Sequence, residues 1–247
     1  MTSARFSLAL VLLLFISINA AHAGDFANLN FIGFSKDGRY LAFEEYGIQD
    51  GSGWAYSNFY FVDVVKNVYA APSITNRIEN DYATERQART KAKLSAAASL
   101  RKLRIVDRNV GTQVVSRLLT DVSANHYLSS DTGKTQTVEF AEMIASMYRK
   151  GDYDLVMNPS EVKVKDCEYT DDQSVFKLEL LLKDKDLDKT VVLQRDSALP
   201  KSRACPLSYA IQHVYLYENN IAVFLNTYHM GFEGPDMRYL VVTGKYK

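Results

Sequence analysis

Acidic residues lie beside two glycine-rich stretches that are far apart in the chain, EEYGIQDGSG at residues 44–53 and GFEGPD at residues 231–236. Carboxylates beside aromatic rings would suit a sugar or a calcium ion, and two carboxyl groups about 5–10 Å apart would suit glycoside cleavage. Either chemistry requires the two stretches to be neighbours in the fold. The candidate ligand-binding residues are Glu44, Glu45, Tyr46, Asp50, Glu233, Asp236 and Arg238, with Trp54 and Tyr228 as further aromatic neighbours.

A structural role explains the same acidic residues more simply. Asp and Glu often cap turns or pair with nearby cations, here Arg39 and Arg238, and such paired acids are frequently structural. We therefore assign no catalytic residue and keep the set as a candidate binding site.

The stretch SSDTGKT at residues 129–135 suggests two kinds of catalytic site and fits neither. Leu128 stands where a phosphate-binding loop requires glycine. The Asp131-Thr132-Gly133 triplet of aspartic proteases has no second copy with which to share a proton. A hairpin turn is the better interpretation.

Metal and nucleophile patterns are also incomplete. DKDLDK at residues 184–189 begins like a calcium loop, but Lys189 and Arg195 take the positions of the required glycine and glutamate. His126, His213 and His229 lack zinc-ligand spacing, and no nucleophile-elbow pattern accompanies them. No metal or other cofactor is therefore expected.

The elements that must position these residues are mostly strands. KDG at residues 36–38 is a turn between two apolar runs, and alternation puts Leu41 and Phe43 on one strand face. We predict a mainly β, β-rich α+β domain over residues 24–247, with antiparallel sheets, propeller-blade-like hairpins and one long peripheral helix. The blade-like turn sequence occurs once, which argues against a full propeller.

The helix is predicted at about residues 75–106, where Asn76 and Glu79 resemble a capping box. It carries many cations, which could contact anionic lipid or polysaccharide, although a solvated helix face is the simpler interpretation. Those cations are Arg86, Arg89, Lys91, Lys93, Arg101, Lys102, Arg104 and Arg108.

The first 23 residues have the pattern of a secretory signal peptide. A positive start precedes an apolar run at residues 6–20, and Ala21-His22-Ala23 supplies small residues at a cleavage site. We expect cleavage after Ala23, a periplasmic or secreted product, and no transmembrane segment after signal removal. In that compartment Cys167 and Cys205, the two cysteines of the chain, should form a disulfide.

The quoted stretches also carry a family resemblance over nearly all of residues 24–247. The chain resembles the domain of unknown function 2259 family of bacterial predicted secreted proteins. The resemblance implies an exported protein with paired cysteines, and it brings no known activity. The matching stretches are IGFSKDGRYLAFEEYGIQDGSG, the Arg- and Ala-rich helix, DCEY, LQRDSALPKSRACPLSYAIQHV and GFEGPDMRYLVVTG.

The hypothesis drawn from the sequence is a non-catalytic periplasmic binding module or envelope-associated interaction module. The alternative is a carboxylate-dependent hydrolase of envelope glycans. An envelope protein or glycan is the expected partner, and nucleic acid is not, because Lys and Arg together number 29 and Asp and Glu also number 29.

Overall fold

The computed structural model describes residues 24–118, 133–144, 148–165, 167, 174–231 and 234–247. Thirteen strands and one α-helix, α1 (Glu85–Lys102), are described in these ranges. The strands are β1 (Asn28–Phe34), β2 (Tyr40–Ile48), β3 (Ala55–Asp63), β4 (Val68–Tyr69), β5 (Ile74–Ile78), β6 (Thr112–Ser116), β7 (Gln136–Ile144), β8 (Tyr148–Val162), β9 (Val175–Asp184), β10 (Lys189–Arg195), β11 (Ser208–Tyr217), β12 (Asn220–Met230) and β13 (Pro235–Lys245).

The strands form three antiparallel sheets. Sheet I has the order β1-β2-β3-β4, and β5 also pairs with β3. Sheet II has the order β13-β12-β11-β6, and sheet III has the order β10-β9-β8-β7. This arrangement confirms the predicted β-rich fold with one peripheral helix.

Sheet II is the middle layer, and its strands are accordingly apolar on both faces. In β12, Ile221 and Val223 pack into a core shared with sheet III, whereas Ala222 and Phe224 pack into a core shared with sheet I. A strand buried on both sides reads as a continuous apolar run rather than an alternation. The layers therefore follow the order α1, sheet I, sheet II and sheet III.

Sheet I is covered on both faces, by different kinds of structure. Leu41 and Phe43 of β2 face sheet II, as the predicted alternation requires, and Ala42 faces α1. The helix contacts the sheet through a stripe of small residues, Ala88, Ala92 and Ala96, each of which is fully buried.

The helix is shorter than predicted. Residues 74–78 form β5 on the edge of β3, and the capping box lies at Thr84 and Gln87 instead of Asn76 and Glu79. The backbone N–H of Gln87 donates to Thr84 Oγ1 at 3.3 Å, and the N–H of Thr84 donates to Gln87 Oε1 at 2.8 Å. In the described ranges of the chain, no helix has the length and apolarity needed to cross a membrane.

The predicted disulfide is confirmed. Cys167 and Cys205 are bonded, with their Cα atoms 5.7 Å apart, and both are buried beside Val175 and Leu199. The bond ties the segment after β8 to the connection that precedes β11, so it joins sheet III to sheet II.

The turn at residues 36–38 packs against the end of the β11–β12 hairpin. Asn220 Nδ2 donates to the carbonyl of Gly38 at 3.3 Å, and Tyr217 Oη donates to the carbonyl of Lys36 at 3.0 Å. Gly38 has a φ of +67°, and a Cβ placed there would lie 2.6 Å from Asn220 Nδ2. Glycine is therefore required both for the turn and for its contact with sheet II.

Replacing Gly38 with alanine should lower the free energy of unfolding by about 1–2 kcal/mol from backbone strain, and by about 1 kcal/mol more from the disturbed hydrogen bond. Gly51→Ala is the matched control, because Gly51 has a φ of +76° but nothing within 4 Å of its Cβ position. Urea unfolding should show the larger loss for Gly38→Ala; equal losses would mean that the contact with Asn220 contributes nothing.

Candidate functional site

A cleft of about 660 Å³ lies where sheet I overhangs the edge strand of sheet II. Its walls are β13, strands β3 and β4, and the connection at residues 200–204. Three of the predicted binding residues, Glu45, Asp236 and Arg238, line this cleft together. Strand β2, which contains the start of the first glycine-rich stretch, and strand β13, which begins at the end of the second, therefore contribute to one site.

Glu45 is a buried carboxylate on the side of β2 that faces sheet II, with 3% of its surface exposed. Tyr60 Oη donates to Glu45 Oε1 at 2.8 Å, and Asn58 Nδ2 donates to the same oxygen at 3.3 Å. The backbone N–H of Tyr239 in β13 donates to Glu45 Oε2 at 3.1 Å. Glu45 thus connects the two sheets across the cleft through neutral hydrogen-bond donors.

Arg238 is held by the N-terminal end of the described chain. Its guanidinium donates to Asp25 Oδ2 at 2.5 Å and to the carbonyl of Asp25 at 2.6 Å. Tyr56 Oη donates to Asp25 Oδ1 at 2.9 Å, and the guanidinium carbon lies 5.2 Å from the centre of the Tyr56 ring. The charge of Arg238 is therefore balanced by a buried carboxylate that sequence analysis did not single out.

Asp236 lies at the end of the cleft beside Arg238. Its Oδ1 accepts a hydrogen bond from the backbone N–H of Asp25 at 3.1 Å. Burial raises the pKa of Asp236 above its ordinary value and outweighs the opposite effects of the hydrogen bond from Asp25 and of the charge of Arg238. Asp50 is not among the residues that line the cleft, and within the described part of the chain its Oδ2 is buried without a hydrogen-bond partner.

His229 is a neutral group in the cleft wall. Burial, with a smaller contribution from the charge of Arg238, lowers the pKa of His229 to about 4. Its ring nitrogen Nε2 is 3.1 Å from Thr227 Oγ1. At neutral pH the imidazole is therefore uncharged and offers hydrogen bonding rather than charge.

The opposite wall of the cleft is fixed by a second ion pair and by the disulfide. Arg203 pairs with Asp196, and their side chains are 9% and 1% exposed. Ala204 follows with a φ of +50°, and Cys205 comes next. The wall at residues 200–204 is thus anchored by the ion pair of Arg203 with Asp196 and by the disulfide at Cys205.

Glu44 and Tyr46 lie on the other face of β2, so the structure does not bring them to the cleft. Arg89 of α1 donates from Nε to Glu44 Oε1 and from Nη2 to Oε2, both at 2.9 Å. Asn30 and Ser57 donate to the same carboxylate at 2.8 and 2.9 Å. The geometry indicates that this pair fastens the helix to sheet I.

The two added aromatic neighbours also lie apart from the cleft. Trp54 Nε1 donates to Asp81 at 3.1 Å, and Tyr228 is buried beside Met237. Glu233 lies outside the described residues.

The remaining sequence patterns give no reactive site. Asp184 accepts the N–H groups of Asp186 and Leu187 at 3.0 Å each, which makes DKDLDK an ordinary turn between β9 and β10. Asp131, Thr132 and His126 lie outside the described residues. Within the described part of the chain, no group of three or more His, Cys, Asp or Glu side chains is placed to hold a metal ion.

Several residues in the cleft or in contact with its lining had no sequence signal. Asp25 belongs to no motif, and Tyr60, Tyr69 and Tyr239 look like ordinary strand residues because tyrosine is common in strands. Their positions depend on how sheet I stacks on sheet II. The sequence indicated that Arg238 could pair with an acid, but it did not identify Asp25 among the many possible partners.

The comparisons with known proteins give a family and no function. A family model named DUF2259 and described as a predicted secreted protein matches residues 42–245. No curated protein and no solved structure matches the chain.

Proposed function

Because the chain belongs to the DUF2259 family of predicted secreted proteins, we propose that it is an exported, non-catalytic binding module whose ligand occupies the cleft beside β13. The proposal includes a periplasmic location and cleavage of the signal peptide after Ala23. A concave, largely preformed site lined by apolar and aromatic side chains with a few fixed polar groups is the usual form of a small-ligand site.

The observation that carries the proposal is that the cleft is large enough for a small ligand and that its charged side chains are held in place. Its volume of about 660 Å³ is in the range of small-ligand sites. Glu45, Arg238 and Arg203 are each held by hydrogen bonds or ion pairs within the protein, so their positions are fixed before a ligand binds. The rings of Tyr60 and Tyr69, with centres 6.0 Å apart, supply apolar contact area.

Replacing Tyr69 with alanine should weaken ligand binding at least about fivefold, because aromatic anchors in a cleft commonly contribute more than 1 kcal/mol. Tyr69 is 55% exposed, so its loss should leave the fold intact. The probe is a soluble digest of peptidoglycan, which presents both glycan and stem-peptide groups, and binding is measured by isothermal titration.

Tyr82→Ala is the matched control, because Tyr82 is 93% exposed and precedes α1. It should bind the digest as the wild type does. Equal binding by the Tyr69→Ala and wild-type proteins would remove the cleft as the binding site.

The second candidate function is the carboxylate-dependent glycan hydrolase. It is favoured by the position of Asp236, a carboxyl group in the cleft lining whose burial raises its pKa above the ordinary value, the direction that a general acid needs. Mass spectrometry of the digest before and after incubation distinguishes the two functions. New cleavage products that disappear in Asp236→Asn would establish hydrolysis, and an unchanged digest would leave binding alone.

A further inference from the structure

The outer edge of β13 points its backbone groups toward the cleft. In an antiparallel pair, residues alternate between those bonded to the neighbouring strand and those whose N–H and C=O point to the other side. The N–H of Met237 donates to the carbonyl of Asp25, that of Tyr239 donates to Glu45, and that of Thr243 donates to Asn67 Oδ1. Val241 lies two residues from both Tyr239 and Thr243, so its N–H and C=O also point away from β12.

One end of this edge already pairs with an extended segment. Phe26 forms a parallel bridge with Met237, and the N–H of Ala27 donates to the carbonyl of Met237 at 3.1 Å. The edge of β13 therefore accepts a strand-like segment at the point where the cleft begins.

The cleft continues along the same edge. Five consecutive residues of β13, numbers 238–242, line it, and consecutive residues alternate between the two faces of a strand. A cavity that meets all five lies over the edge of the strand rather than over one face. Between the N–H groups bound by Glu45 and Asn67, the carbonyls of Tyr239 and Val241 and the N–H of Val241 face this space.

We propose that the cleft binds an extended peptide segment, which pairs with β13 at Val241 in continuation of the pairing made by residues 25–27. This inference rests on the proposed function and names the ligand class of the same cleft. The distance from Tyr239 to Thr243 is about 13–14 Å at strand spacing, which gives room for about three peptide residues. Addition of a strand to an exposed edge gives affinity through the main chain and specificity through side-chain pockets.

The side chains around the edge suit the alternating side chains of such a segment. Val62 and Val68 of sheet I, together with Tyr60 and Tyr69, form the overhanging wall. Glu45 belongs to the same overhanging wall, whereas His229, which is neutral, shares the face of β12 that carries Ile221 and Val223. An extended peptide would place one set of side chains against the overhang and the alternate set on the face where His229 lies.

The test uses a positional-scanning library of acetylated, amidated hexapeptides, with chitohexaose as the peptide-free glycan probe. We expect at least one peptide pool to bind the full mature chain and to shift the amide resonance of Val241. Methylating the backbone nitrogen of the central residue of the selected peptide should weaken binding about tenfold or more, since it removes a main-chain hydrogen bond and obstructs the neighbouring one.

The outcomes separate this inference from the proposed function. Binding of chitohexaose in the cleft without any peptide would overturn the peptide inference and leave the binding function standing. Absence of binding by both probes, or peptide binding that backbone methylation changes less than twofold, would also overturn it. Val241→Pro removes the same N–H from the protein side, and the methylated peptide keeps the test decisive if that variant does not fold.

Discussion

Replacing Arg89 with methionine is expected to lower the free energy of unfolding by about 3–5 kcal/mol at neutral pH. Arg89 holds both oxygens of Glu44 and stacks over the ring of Tyr46, with 3.7 Å between its guanidinium carbon and the ring centre. The Glu44 side chain is 3% exposed, so the variant would leave a buried carboxylate with no cation beside it. Removing one partner of such a pair costs more than the pair itself contributes.

The effect should be asymmetric between the two partners. Arg89 is 35% exposed and can turn toward water when Glu44 is replaced. Glu44→Gln should therefore cost about 2 kcal/mol, the scale of a hydrogen bond to a charged group. Urea unfolding of both variants at the same pH measures the difference.

The loss in Arg89→Met should also depend on pH. Burial alone would raise the pKa of Glu44, but the hydrogen bonds from Arg89, Asn30 and Ser57 outweigh it and hold the pKa below its ordinary value. In the wild type this stabilisation is present above the ordinary pKa of glutamate and is lost as pH falls through the lowered one. In the variant, burial without Arg89 should raise the pKa of Glu44. Protonation of Glu44 then removes the cost of its buried charge, so the loss of stability relative to the wild type should shrink from about pH 8 to about pH 5.

Arg86→Met is the matched control, because Arg86 is exposed on the same helix and should change stability by no more than about 0.5 kcal/mol. A loss of stability of no more than about 0.5 kcal/mol for Arg89→Met, or a loss that grows toward pH 5, would contradict the role assigned to the ion pair of Arg89 with Glu44.

Replacing both cysteines with alanine is the second large effect, an expected loss of about 4 kcal/mol. The disulfide closes a loop with a sequence separation of 38, and the chain-entropy estimate for such a loop gives that value. Because Cys205 directly follows the cleft wall at residues 200–204, the variant should also bind the peptidoglycan digest more weakly. Thermal and urea unfolding give the stability, and isothermal titration gives the binding.

Reduction provides the control for the disulfide prediction. Dithiothreitol should destabilise the wild-type protein by a similar amount and leave the double variant unchanged. A loss below about 1 kcal/mol in the variant would show that the denatured chain gains little freedom when the bond is absent.

Local patterns predicted the elements better than their boundaries. The alternation in β2 placed Leu41 and Phe43 together on one face, as the structure has them, because alternation follows from the strand period. The helix start was wrong because Asn76 and Glu79 have the spacing of a capping box. In the structure Asn76 lies in β5, and its Nδ2 donates to the carbonyl of Ala88 in α1. Residues 76–79 and residues 84–87 both have the spacing of a capping box, and tertiary contacts decided which of them starts the helix.

The candidate site was predictable only in part. The sequence drew attention to Glu45, Asp236 and Arg238, which line one cleft, but it grouped them with Glu44 and Tyr46. Adjacent residues in a strand point to opposite faces, and both faces of sheet I are covered. No pattern within β2 could show which of those faces lies beside β13, because that depends on sheet stacking between segments far apart in the chain.

The cleft itself had no local signal. It arises where the β13 edge is met at one end by residues 25–27 and at the other by Asn67. Each of these contacts joins residues that are distant in sequence, and a single sequence carries no record of such contacts.

The most direct test of the proposed binding site is a map of methyl carbon shifts in valine and leucine residues during titration with the peptidoglycan digest. We expect the largest shifts on Val62, Val68, Leu240 and Val241, which line the cleft. The exposed helix residue Leu94 should not move. Binding that shifts Leu94 or the core between sheets II and III while leaving the cleft methyl groups unchanged would contradict the account.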